Sequence, residues 1–257
     1  MALMAASLTV VIITLNEESN IVECIKSTLG ADEVIVVDAG SRDRTAELAT
    51  SHGARVVEHP MTDFAQQRNY ANSIAKSDWI FHLDADERLT PALRDELKSA
   101  LSSNTYSGYR VPRLNFIFGA PLHHGGWYPQ YEMRLQRRGR GMWSRAVHET
   151  AALREGSVGT LREPYEHRGH PDVRTFLAKT DRYTSIEAEA LAGRSMLTLG
   201  LLAVVVPPIY FAYKYVFQAG FRDGWRGFAA ATLLSFYRAL AYVKAMEVRS
   251  SRSSTKS

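Results

Sequence analysis

Residues 79–87, Trp-Ile-Phe-His-Leu-Asp-Ala-Asp-Glu, constrain this chain more than any other stretch. Trp79 to Leu83 is mostly apolar and rich in strand formers, so it reads as a buried strand. Three carboxylates follow at once. Unpaired charge cannot be desolvated cheaply, so a strand exit of this kind must meet solvent, a cation or a ligand. Asp84 and Asp86 are two apart and share one side of extended backbone. Two hard oxygen donors so placed suit a divalent cation carrying a diphosphate. A solvated turn opening a helix fits the same residues. The choice rests on the rest of the chain.

Leu8-Thr9-Val10-Val11-Ile12-Ile13-Thr14 is an almost continuous β-branched run, as expected of a strand covered on both faces. A polar loop from Leu15 to Asn20 and a helix to about Leu29 follow. Glu33 to Asp38 is a second strand, with a turn from Asp38 to Thr45 and a helix to about His52. Arg55 to Glu58 is a third strand, and Phe64 to Ala75 a helix leading into residues 79–87. This alternation predicts a doubly wound α/β sheet, whose ligands sit beyond the carboxyl ends of the strands. Asn16/Glu17, Asp38 and Asp84/Asp86 each lie at such an end. Neither G-x-G-x-x-G nor G-x-x-x-x-G-K-[ST] follows the first strand, which argues against a dinucleotide dehydrogenase and a P-loop enzyme.

The middle of the chain is less regular. Tyr109 to Phe118 suggests two short strands. His123-His124-Gly125-Gly126-Trp127-Tyr128 suits a flexible wall against a sugar or acceptor, or a plain surface loop. Arg134, Arg137, Arg138, Arg140 and Arg145 form a cluster fit for a phosphorylated acceptor or a pyrophosphate. Arg138 and Arg140 fit a solvated hairpin around Gly139 and Gly141 better than such a site.

Charge separates the C-terminal quarter from the rest. Residues 194–257 carry nine Lys/Arg against two acids, a net +7, leaving −3 on the remainder of a chain of net charge +4. Ser195 to Tyr213 has no charged side chain, a length that meets a membrane span, but Pro207-Pro208 is expected to break a straight helix there. Gly224 to Tyr237 is a second apolar stretch. Basic and apolar together point to an anionic membrane surface and not to nucleic acid, with two amphipathic or re-entrant helices on its face. A helical dimerisation arm, giving a homodimer, is the competing reading. Ser250 to Ser257 reads as a disordered basic tail. Cys24, the single cysteine, excludes an intrachain disulfide and fits a reducing compartment. Met1 to Ser7 has no basic residue, so no signal peptide is expected.

Val10-Ile13-Thr14-x-Asn16-Glu17, Val37-Asp38-x-Gly40-Ser41-x-Asp43-x-Thr45, Gln67-Arg68-Asn69 and Leu83-Asp84-Ala85-Asp86-Glu87 together resemble the family 2 glycosyltransferases, in family order and spacing. Arg134-Leu135-x-Arg137-Arg138, Val147-His148-Glu149 and the apolar tail resemble the branch that includes lipopolysaccharide core glucosyltransferases. The resemblance implies a GT-A fold, a Rossmann-like, doubly wound mixed sheet over 1–172. A helical, membrane-associated or dimerising region follows over 173–249, and the tail over 250–257.

It implies that Thr14, Asn16, Glu17 and Asp38 line the nucleotide site, with Arg68 near the diphosphate and Asp84 on the ribose or the metal. Asp86 would ligate Mn2+ or Mg2+. His167 would complete that site, though a loop histidine reads equally well. Glu149 would be the base that takes the acceptor hydroxyl proton, with His148 beside it as orienter or substitute. Trp127 and Arg134 would face the acceptor or its phosphate. The expected activity is inverting, metal-dependent transfer of a sugar from a UDP-sugar to a lipid-linked or lipopolysaccharide-core acceptor, at the cytoplasmic face of the cell membrane. A nucleotidyltransferase of similar layout and a non-catalytic nucleotide-binding membrane adaptor are the alternatives.

Overall fold

The computed structural model describes residues 6–60, 63–144 and 150–254. The first half alternates as the hydrophobic pattern requires: β1 (Leu8–Thr14), α1 (Ile21–Ser27), β2 (Glu33–Asp38), α2 (Thr45–Ser51), β3 (Arg55–Glu58), α3 (Phe64–Ile74) and β4 (Trp79–Asp84). The four strands are parallel in the order β3-β2-β1-β4. Every residue of β1 is buried, and its successive side chains enter opposite layers. Val10 and Ile12 pack with Ile21, Cys24 and Ile25 of α1, while Val11 and Ile13 pack with Ala71 of α3.

Register decides what stands at the carboxyl edge. Thr14 lies opposite Asp38, Ile13 opposite Asp84, and Asp38 opposite Glu58. The polar strand ends expected from the sequence therefore meet on one edge.

The remaining strands extend the sheet mostly antiparallel. After β5 (Glu87–Leu89) and α4 (Pro91–Ser102) come β6 (Gly108–Ile117), β7 (Ala120–Pro121), β8 (Gln130–Arg137), β9 (Gly141–Ser144), β10 (Thr150–Leu153), β11 (Val158–Thr160) and β12 (Tyr165–His170). The order is β3-β2-β1-β4-β8-β6-β12-β5, with β7 and β11 attached to β6, β11 parallel to it, and with β9 and β10 in a sheet of their own. Two expectations change here. Residues 109–118 form not two short strands but most of one ten-residue strand, β6, whose register shifts between Tyr109 and Arg110. Nor is there a hairpin around Gly139 and Gly141. Both edges of β8 are taken, by β4 and β6, so β9 pairs with β10 instead.

The chain forms two compact units, Met1–Leu114 with Gln130–His167, and Asn115–Pro129 with Arg168–Ser257. The second contains α5 (Val173–Leu191), α6 (Met196–Ala212) and α7 (Gly224–Ser254). Pro207 and Pro208 do not break α6, which runs through both. Their missing N–H groups forfeit the hydrogen bonds to the carbonyls of Ala203 and Val204, and their rings crowd those same carbonyls. The helical path changes later, in a π-helical turn at Tyr213–Phe217 followed by left-handed Ala219. The helix α7 also runs past the expected start of a tail, to Ser254, with Ser251 Oγ donating to the Glu247 carbonyl and Arg252 paired with Glu189.

Candidate active site

The turn after β4 is clamped from below by residues that follow it. Glu87 opens β5 fully buried, and its Oε2 accepts the Asp84 N–H at 2.8 Å. Its Oε1 meets Arg134 at 2.7 Å. Arg88 donates to the carbonyls of Ala85 (2.8 Å) and Asn20 (2.9 Å), tying this turn to the loop after β1. Burial pushes the Glu87 carboxyl well up, and Arg134 pulls the other way. No role for Glu87 or Arg88 is legible from sequence. The one signal is a carboxylate and a guanidinium set directly before the apolar Leu89.

Arg134 is itself buried on β8, donating to the Tyr165 hydroxyl at 3.1 Å and pairing with Glu132 at 2.7 Å. It stands 3.7 Å from Asp84. Expected to touch an acceptor or phosphate, it is instead enclosed by carboxylates. The rest of the arginine cluster turns elsewhere. Arg137 covers the Trp79 ring, Arg138 donates to the Ser77 carbonyl and Arg140 pairs with Glu155. Arg145 lies outside the described residues.

Burial works to raise the Glu132 carboxyl, but Arg134, Arg113 (2.8 Å) and the Tyr165 hydroxyl (2.9 Å) overcome it and hold it at about 2. A carboxylate so held is a scaffold and a poor general base. Its depressed folded pKa stabilises the fold above the ordinary glutamate range, and that contribution is lost as pH falls toward 2. With the side chain a third exposed, the screened contribution is about 1–2 kcal/mol. The melting temperature of the native chain should therefore fall more steeply below pH 4.5 than that of Glu132→Gln. Equal acid slopes in thermal melts would refute the pairing.

Each residue of Gln67-Arg68-Asn69 holds a different piece of the site. Gln67 bridges the ring and the carbonyl of His59 (2.6 and 2.8 Å). Arg68, expected near a diphosphate, is 1% exposed and pairs with Asp84 Oδ1 at 2.7 Å. Its guanidinium lies 4.6 Å from the centre of the Trp143 ring. Asn69 exchanges two hydrogen bonds with the Trp143 backbone (2.8 and 2.9 Å), pinning β9 to α3. Beneath them His82 is fully buried between Asn72 and Gln136. Burial, then Arg68 and Arg134, lowers its pKa well below the usual value, so it is neutral.

The loops expected to line a nucleotide are bolted to each other. Asn16 adopts a left-handed conformation (φ 55°), and its Oδ1 accepts the Arg42 N–H at 2.9 Å. The Glu17 N–H donates to Thr45 Oγ1 at 2.8 Å. Asp38 is buried and accepts both the N–H and the hydroxyl of Ser41. Asp43 accepts from the N–H groups of Thr45 and Glu18, which is turn and cap chemistry. Thr14 is buried, and its Oγ1 makes no hydrogen bond.

Asp86 and His167 come together from distant parts of the chain. The ladder between β5 and β12 sets His167 opposite Glu87, and its Nε2 stands 3.6 Å from Asp86 Oδ2. Both side chains are about 15% exposed. Among the described residues no group of three His, Cys, Asp or Glu side chains is placed to hold a metal ion. A hard carboxylate beside an imidazole is nevertheless a donor set that suits Mn2+ or Mg2+.

Two expected residues, His148 and Glu149, lie outside the described residues. Trp127 belongs to the second unit, half-buried, its carbonyl accepting from Asn115 at 2.8 Å and its ring against His170.

Residues 9–159 match the family described as Glycosyl transferase family 2. The chain is 32% identical over 242 residues to the lipopolysaccharide core biosynthesis glycosyltransferase LpsC of Rhizobium meliloti, covering 91% of this chain and 89% of that protein. An uncharacterized glycosyltransferase of Rickettsia bellii is 26% identical over 262 residues, covering 96% and 88%. Among solved structures, glucosyl-3-phosphoglycerate synthase from Mycobacterium tuberculosis, in complex with Mn2+, UDP and glucosyl-3-phosphoglycerate, overlaps 43% of this chain and 44% of its own, with a TM-score of 0.37 and 24% identity. The matched region takes in the parallel strands, their carboxyl edge and the clamped Asp84–Asp86 turn, and this chain belongs to glycosyltransferase family 2, a transferase of GT-A fold.

Proposed function

We propose that the protein transfers a sugar, with inversion, from a UDP-sugar to a lipid-linked or lipopolysaccharide-core acceptor at the cytoplasmic face of the cell membrane. The observation that carries the reading is the approach of Asp86 to His167 at the carboxyl edge of the sheet. These two side chains would hold a divalent cation, Mn2+ or Mg2+. When bound, it supplies positive charge that stabilises the departing nucleotide diphosphate. Asp84, held by Arg68 and by the Glu87–Arg134 pair, faces the ribose. The loops of Thr14, Asn16, Glu17 and Asp38 form the nucleoside wall, pre-organised by their mutual hydrogen bonds. Glu149 takes the proton of the attacking hydroxyl, with His148 orienting the acceptor.

The acceptor class is supported by the relative named for lipopolysaccharide core biosynthesis. The membrane is supported by Met196–Phe217, apolar enough to cross one (mean hydropathy 1.9) yet only 6% buried, beside the net +7 of residues 194–257. A panel of nucleotide sugars, assayed for UDP release in detergent with Mn2+ and a membrane lipid extract, tests the reading. Release of UDP from a UDP-sugar is the expected result. Pyrophosphate release from an NTP and a sugar phosphate, or no calorimetric binding of any UDP-sugar, would overturn it.

A further inference from the structure

A helix of this length and hydropathy could cross a bilayer, lie in one leaflet or pair with a second copy. The packing within the second unit separates these. The helices α6 and α7 are antiparallel along their whole length, Leu199 packing on Ala245 at one end and Phe211 on Phe228 at the other. Charge stands on α7 at Arg226 near its start and at Arg238, Lys244 and Arg249 in its second half. Two of these charges are paired to α5, Arg238 with Glu187 at 3.1 Å and Lys244 with Asp181 at 2.6 Å. Were α6 to span, these neighbours would enter the hydrocarbon core beside it, where charge is expensive.

The turn that follows α6 is tethered too. Asp223 accepts the backbone N–H groups of His123 and His124 and meets the His124 ring at 2.8 Å. The Gly125 N–H donates to the Gln218 carbonyl, and Arg226 to the Phe118 carbonyl. Residues 118–126, with the polar rings of His123 and His124, therefore sit at this end of the helix. Neither end of α6 is free to reach the far side of a membrane without dragging charged or polar protein through it.

The outer face is different. Leu197, Leu201, Val204, Ile209, Val216 and Phe217 are each more than half exposed, the first three at i, i+4 and i+7 on one face. Phe221 and Trp225 continue the apolar surface past the turn, both more than half exposed, with exposed Arg222 between them. An apolar stripe edged by aromatic rings and guanidinium groups matches the boundary between acyl chains and anionic headgroups. It does not match a second copy of a chain whose region here carries +7, since two such faces would repel.

We infer that α6 inserts lengthwise into a single leaflet of an anionic bilayer, outer face down, and neither spans the membrane nor forms a dimer arm. The inference rests on the membrane reading given under Proposed function and sharpens it to one helix, one leaflet and one headgroup charge.

Cys24 is fully buried, so a new surface cysteine is the one that labels. Leu197→Cys, Val204→Cys and Phe217→Cys, each in the full chain and carrying an environment-sensitive fluorophore, are mixed with phosphatidylcholine vesicles with and without phosphatidylglycerol. Lipids bearing quenchers at known depths report position. The expected result is blue-shifted emission at all three sites, at one shallow depth, only with the anionic lipid, and reversed by salt. The double variant Leu201→Glu/Val204→Glu should lower partitioning on the order of 10²-fold while leaving UDP release in detergent unchanged. A Val204 label at the bilayer centre with its neighbours near opposite faces would leave the membrane reading intact and defeat the inference. No transfer of any label, with sedimentation showing a dimer, would defeat both. Neither outcome touches the donor assay, which needs no bilayer.

Discussion

Asp86→Asn should abolish turnover, by on the order of 10³-fold or more, while the melting temperature changes by little. The substitution keeps the shape of the side chain and removes its negative charge. That charge is what the site offers a cation, because the second donor, His167, is neutral when it ligates. Asp86 keeps about 15% of its side chain exposed, and an amide of the same shape fits there. Scaffold contacts of the neighbouring carboxylates, Glu87 to the Asp84 N–H and Asp84 to Arg68, remain. Two measurements check the expectation. UDP release at saturating donor should collapse, and Mn2+ binding by calorimetry should weaken in parallel. Retained turnover with weakened fold would mean that Asp86 is structural and that the cation assignment is wrong. His167→Ala should lower Mn2+ affinity in the same direction and to a smaller extent, since it removes a neutral ligand.

Arg134→Met should be the most destabilising single change in the first unit. It leaves Glu87 fully buried and Glu132 partly buried with their shared cation gone. Breaking a buried pair from one side costs about 3–5 kcal/mol. The midpoint of urea unfolding should fall accordingly. Adding Glu87→Leu should return much of that stability, because an apolar pair of similar volume can replace a buried ion pair at little net cost. Activity should not return with it. The double variant lacks the carboxylate that accepts the Asp84 N–H, so Asp84 loses one of its two holders. Recovered stability with recovered UDP release would show that the pair only supports the fold. Recovered stability without release marks it as positioning the turn.

The parallel half was legible because each of its signals is local. The β-branched run of β1, the carboxylates ending β2 and β4, and the alternation with helices need no long-range partner to be recognised. Edge polarity followed from register alone, Thr14 against Asp38 and Ile13 against Asp84. What escaped depends on distant residues. Glu87 and Arg88 look like two more solvated charges until Arg134 and the Asn20 carbonyl arrive from elsewhere in the chain. Gln67 and Asn69 resemble an exposed polar helix face, but Gln67 is buried against His59 and Asn69 is held by the Trp143 backbone. Arg68 and Arg134 were expected to face phosphate, and both charges are spent on carboxylates. The prolines of α6 misled because the breaking rule weighs local hydrogen bonds and ring clashes alone, whereas this helix is packed along α7.

The ladder that seats His167 opposite Glu87 also has a kinetic meaning. Every contact of β1 with β2 and β4 forms within the first part of the chain, whereas β5 must wait for a strand that is made long after it. Loop closure over such a separation is slow, so the parallel core can be in place while the pairing of β5 with β12 is still open. During synthesis the nucleoside wall therefore precedes the histidine. Asp86 is thus in place on its turn before His167 can approach it.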